Sequence, residues 1–178
     1  MRNVMIDLET WGLYSGCAIR SIGAVQFDPF AKGSTGQEFY VNVDRKSCEE
    51  VGLHVLPATE KWWSEQSQKA RDALDTSPTP LKQALIMFAS YWLKIGGQYP
   101  WSQGANYDQP IIEEAMRRCD VKVPWKFWDS RCTRTAYGLA GFNPNSMKNV
   151  GTAHHALHDC HHQVRLVQHA VGLMKINN

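Results

Sequence analysis

The sequence predicts an α/β protein: a mixed central sheet that starts with an antiparallel three-strand meander and is flanked by helices on both faces. Three observations predict it. Residues 3–8, "NVMIDL", are a short apolar run ending near a carboxylate. The stretches from Ile19 to Phe27 and through Phe39, Val41 and Val43 alternate apolar with small or polar residues, as half-buried strands do. Beyond them the period lengthens: Leu81, Leu85, Phe88, Trp92 and Ile95 are spaced three or four apart, one apolar helix stripe.

Each element has a local reason. Asp28-Pro29 turns the chain between the second and third strands. "LPATEKWWSEQSQKARDAL" has a Pro start and a helix-prone body, so one helix is expected there. The striped helix has Thr79 as its expected N-cap, Pro80 at its first position, and Gly96-Gly97 as its stop. "YPWSQG" reads as a short buried strand, and Asp108-Gln109-Pro110 opens a helix that turns Ile111, Ile112, Ala115, Met116 and Cys119 inward. "FWDSRCTRTAYGLAG" is expected to be a helix ending near Gly141. The last helix starts near Thr152 and buries Cys160, Val164, Val167, Val171 and Met174. Strands mixed with helices in this order imply a site at a strand end.

At 178 residues the chain is long enough to bury a substantial core, and one domain spanning 1–178 is expected. Its net charge of +2 excludes the cationic excess of a protein that coats duplexes. Five widely spaced Cys form no C-x-x-C pair, so neither a zinc ribbon nor a disulfide framework is suggested. Reduced thiols fit a cytoplasmic location. No signal-peptide run or membrane span is present, and no membrane partner is expected.

The chemistry begins with "IDLET". Asp7 and Glu9 are two apart on an extended chain, so both carboxylates face the same side. Two like charges ~4 Å apart repel by about 4 kcal/mol at an effective dielectric near 20. Protonation, a basic partner or a divalent cation must relieve that; an oxygen-only set points to Mg²⁺ or Mn²⁺. The alternative is solvated loop charge. Asp108, at a helix start, is either an N-cap or a ligand. Asp159 lies about 100° round the last helix from Cys160 and could reach a site beside the sheet; otherwise it is an exposed helical Asp.

Around Asp159 the chain reads "HHALHDCHH", where five of the protein's seven His fall within nine residues. Zinc ligation, a solvated helix face and a single working His are the alternatives. His154, His158 and His162 have i, i+4 spacing, but no further N or S ligands at clear spacing complete a zinc set.

Taken together, the four acids resemble the DEDD exonucleases of the RNase H-like (DnaQ-like) superfamily. "DLETWG" is similar to that family's D-x-E-T-x-G motif, Asp108 matches its second Asp, and Asp159 its third. His154, five residues before Asp159, resembles the His subclass, DEDDh; position 155, where the other subclass has Tyr, is His. "WWSEQ" and "DSRCTRT" are similar to a small phage and bacterial branch, exodeoxyribonuclease VIII-like.

The resemblance implies an RNase H-like exonuclease fold and 3′–5′ hydrolysis of single-stranded nucleic acid from a free 3′ end, DNA favoured, to nucleoside 5′-monophosphates. It also implies two divalent cations, Mg²⁺ or Mn²⁺, on Asp7, Glu9, Asp108 and Asp159, with His154 as general base; a homodimer is compatible with it. Imidazole, with an ordinary pKa of ~6.5, is largely neutral above pH 7 and suits a base. His155, His158, His161 and His162 are left as a polar, solvated face. Thr10, Trp11 and Gly12 are expected at the terminal sugar and base, Trp62, Trp63 and Gln66 at stacking or hydrogen-bonding positions, and Arg131 and Arg134 at phosphates or in surface ion pairs. An exoribonuclease, a polymerase-dependent proofreading subunit and an inactive nucleic-acid or protein-binding module are the rivals.

Overall fold

The structure is a computed structural model and describes residues 1–151 and 154–176. β1 (Asn3–Thr10), β2 (Ile19–Phe27) and β3 (Thr35–Asn42) form the meander, antiparallel throughout. β4 (Tyr99–Ser102) joins β1 in parallel, and β5 (Arg131–Cys132) joins β4 in parallel. The order β3-β2-β1-β4-β5 makes the sheet mixed, as expected, and puts β1 at its centre.

Helices cover both faces. On one, α4 (Leu81–Lys94) and α5 (Asp108–Arg118) pack Leu85, Phe88, Trp92, Ile112 and Met116 against Val4, Ile6 and Leu8 of β1. On the other, α7 (Ala156–Ile176) packs Cys160, Val164 and Val167 against Met5, Val25 and Phe27. Alternation along β1 thus feeds two cores, with Asp7 and Glu9 continuing the Met5 side.

The structure corrects several boundaries. The helix expected over 56–74 is two helices, α2 (Pro57–Ser64) and α3 (Gln68–Asp75). The expected helix over 127–141 is a 3₁₀ turn (Phe127–Asp129), strand β5 and helix α6 (Thr133–Leu139). A two-residue edge strand carries no legible period. Helix α1 (Arg45–Glu50), capped by the Asp44 carboxylate on the Ser47 N–H, was not foreseen. Pro80 rather than Thr79 is the N-cap of α4. Thr152 lies outside the described residues, and α7 begins at Ala156.

One close approach decides where α7 sits. Gly23 of β2 pairs with Asp7 in the β1–β2 register. A Cβ at Gly23 would lie 2.4 Å from the Ala156 carbonyl carbon and 2.6 Å from the Leu157 nitrogen. Only a residue without a side chain lets the first turn of α7 rest on the sheet beside Asp7.

Candidate active site

The C-terminal ends of β1 and β4, α2, and the starts of α5 and α7 enclose a cleft of about 710 Å³. Asp7, Glu9, Asp108, Asp159 and His154 all line it. Ligand oxygens of Asp7, Glu9 and Asp159 lie within 4.8 Å of one another. Asp108 joins through the backbone, its Oδ1 accepting the Leu8 N–H at 3.1 Å. That bond corrects the capping alternative: Tyr107 occupies the N-cap of α5, and the Asp108 carboxylate reaches across to β1.

Burial and mutual repulsion set the electrostatics. Asp7 is held well above the usual carboxylate range by burial first, then by the charges of Asp108, Glu9 and Asp159. Glu9 is pushed up to about 8 by burial, Asp159 and Asp108, against the pull of Arg20. Burial raises Asp108 to about 7, opposed by the Leu8 N–H, its own backbone and Arg134. Such a set needs either protons or a cation.

The donors fit a hard divalent cation. They are all carboxylate oxygens, and the hydrogen bonds to Asp7, Asp108 and Asp159 each engage Oδ1. Among the described residues this is the one group of three or more close candidate metal ligands, and no His joins it.

Two supporting residues carry no sequence signal. Gln163, one turn beyond Asp159 on α7, donates to Asp7 Oδ1 at 2.6 Å. Asn149 donates to Asp159 Oδ1 at 2.6 Å from the loop before α7. Both contacts join segments far apart in sequence or across a loop, so no local spacing reveals them.

His154 is not in the first turn of α7, as the sequence suggested. It precedes the helix by two residues at φ +59°, a left-handed conformation uncommon for a non-glycine residue. Its ring stands edge-on to Trp62 (centroids 4.8 Å apart) and to Trp63 (6.0 Å). Trp63 is buried and donates its indole N–H to the Thr10 carbonyl at 2.9 Å, while Trp62 remains 40% exposed in the cleft.

Of the expected substrate contacts, Thr10, Gly12 and Trp62 line the cleft. Thr10 Oγ1 donates to the Gly12 carbonyl at 2.7 Å, and the Tyr107 hydroxyl donates to the same oxygen at 3.0 Å. Trp11 and Gln66 do not line it. Trp11 stacks on the Arg20 guanidinium at 4.5 Å, and Gln66 donates its amide to the Trp62 carbonyl. Arg131 stacks on Tyr99, away from the cleft, whereas Arg134 lines it.

The other imidazoles are not one solvated face. His155 stacks on Tyr40 and His158, His161 faces Glu38 at 3.0 Å, and His162 lines the cleft. Burial lowers the pKa of both His155 and His162.

The family model for the 3′–5′ exoribonuclease Rv2179c-like domain matches residues 2–171. The chain belongs to this family. It is a 3′–5′ exonuclease with an RNase H-like exonuclease fold. The exonuclease is similar to three solved structures. One is exonuclease X in complex with 5′ overhanging duplex DNA: 14% identity, TM-score 0.61, covering 96% of this chain and 91% of that one. Another is the nuclease domain of 3′hExo, a DEDDh family member bound to rAMP: 12% identity, TM-score 0.63, with 96% and 91% covered. A third is cell-death related nuclease 4 (CRN-4): 14% identity, TM-score 0.64, covering 96% of the exonuclease but 63% of the CRN-4 chain. At these identities the likeness is one of fold. No curated protein matches the chain.

Proposed function

We propose that this exonuclease removes nucleotides one at a time from the free 3′ end of single-stranded nucleic acid, releasing nucleoside 5′-monophosphates. The observation that carries the reading is the group of Asp7, Glu9 and Asp159 oxygens within 4.8 Å of one another, in a cleft also lined by Asp108 and His154. The four acids would hold two divalent cations, Mg²⁺ or Mn²⁺. When bound, these supply charge compensation at the phosphate and favour the deprotonated form of an attacking water.

The chain's own groups do the rest. His154 accepts the proton of the water that attacks phosphorus, and the bond from phosphorus to the 3′ oxygen breaks. The two indoles beside His154 hold its ring in the cleft. Gln163 and Asn149 orient the Asp7 and Asp159 carboxylates by the bonds they donate. Trp62 offers an exposed ring for the terminal base; stacking on an aromatic is worth ~1–3 kcal/mol and tolerates any sequence.

DNA is the substrate favoured by the motif resemblance. RNA is the second reading, favoured by the family's own description as exoribonuclease. The span of the family match, residues 2–171, supports reading the chain as a single exonuclease domain. No helix among the described residues is long and apolar enough to cross a membrane, and all five cysteines are free, which suits a cytoplasmic enzyme.

The test uses 5′-labelled single-stranded DNA and RNA of one sequence, with Mg²⁺, Mn²⁺ or EDTA. A ladder shortening from the 3′ end, abolished by EDTA, is expected; the faster substrate decides between DNA and RNA. Intact substrate with both metals would overturn the reading.

A further inference from the structure

The cleft has two chemically different ends. On the β2 side of β1, α2 presents Trp62 and Ala58, with Leu13 close by in sequence to Gly12. On the β4–β5 side stands Arg134, the one Lys or Arg among the lining residues. It is the second residue of α6, directly after the edge strand β5.

Arg134 is exposed and uncommitted: among the described residues its side chain makes no hydrogen bond and no ion pair. Its guanidinium lies against Gly104, in the loop after β4. A Cβ there would come within 3.5 Å of Nη1, at a φ of +111°. The guanidinium thus sits in ordinary contact with the loop after β4, at a glycine whose backbone disfavours a side chain. Asp108 feels its charge, so the guanidinium stands close enough to the acidic group to act on it.

With the 3′-terminal base on Trp62 and the scissile phosphate over the acids, the upstream strand would run toward the end of the cleft that carries Arg134. We infer that Arg134 binds the phosphate one step 5′ of the scissile one, making that upstream phosphate a determinant of specificity. A guanidinium suits it, because its planar fork matches phosphate oxygens and it stays charged at every working pH. The inference rests on the exonuclease reading of the cleft.

The rival role for Arg134 is a counter-charge to Asp108 alone. Two substrates with the same scissile bond separate the roles: ApA, with no upstream phosphate, and pApA, with one, each in ribo and deoxy form. For the wild-type enzyme, kcat/KM for pApA should exceed that for ApA by about tenfold, the worth of one charge-assisted contact. In Arg134→Gln that ratio should fall to near one, through KM, and the salt dependence of KM for pApA should flatten by about one unit of slope. Arg134→Lys should restore part of the ratio. A counter-charge role would lower both substrates in proportion and keep the ratio at its wild-type value, which would overturn the inference. Wild-type turnover of neither substrate would instead sink the exonuclease reading, and the inference with it.

Discussion

At the scale of single residues, Asp7 concentrates the conflict in the site. It is surrounded by three other acids and stabilised by one amide, that of Gln163. Asp7→Asn keeps the shape and an acceptor for Gln163 but removes a charge. Activity should fall by more than the ~10–100-fold typical of a residue that only supports a ligand. Without metal at pH 8, the same variant should melt at a higher temperature than wild type, because the remaining acids repel less. A lower melting temperature in EDTA would contradict the repulsion account. His154→Ala makes a different prediction, since under the proposed mechanism it removes a proton acceptor and not a ligand. Its turnover should drop by about 10²–10⁴-fold, while the Mg²⁺-induced rise in melting temperature is kept. Full activity from pH 5 to 9 in that variant would dismiss the base.

At the scale of elements, the site depends on how α7 docks. Asp159 and Gln163 both ride on this helix, and both work on the side of the sheet where Asp7 emerges. Gly23 sets the distance between them. Gly23→Ala forces the start of α7 off β2, with an overpacking cost of ~1–3 kcal/mol. Melting should therefore shift modestly, but turnover should fall far more steeply, because the same displacement pulls Asp159 away from Asp7. Loss of activity in proportion to loss of folded protein would show that the docking distance does not matter.

Across the whole molecule, stability and metal binding are linked through protons. Glu9 is raised to about 8 and Asp108 to about 7, against unfolded carboxylates near ~4. Between those values the folded chain holds protons that the unfolded chain has released, so metal-free stability falls as pH rises from about 4 through about 8. A divalent cation held by the proposed acidic set would bind its deprotonated form and reverse the trend. Melting in EDTA should decline from pH 5.5 to 8, and Mg²⁺ should raise the melting temperature more at pH 8 than at pH 5.5. An equal rise at both would mean that the acids are not competing for protons and metal.

Local chemistry is what the sequence determined by itself. Alternation announced β1 to β3, the three-to-four spacing announced α4, and the order of Asp7, Glu9, Asp108, His154 and Asp159 announced a set of residues that line one cleft, because each signal lies in a short stretch of chain. Edge strand β5, only two residues long, was illegible because it exists by pairing with β4, not by a pattern of its own. The same holds for Gln163 on Asp7, 156 residues away, and for Trp11, drawn from the cleft onto the guanidinium of Arg20. Only tertiary structure decided these, along with the left-handed position of His154 beside two indoles, since each depends on which distant surfaces meet when the two faces of one sheet are covered.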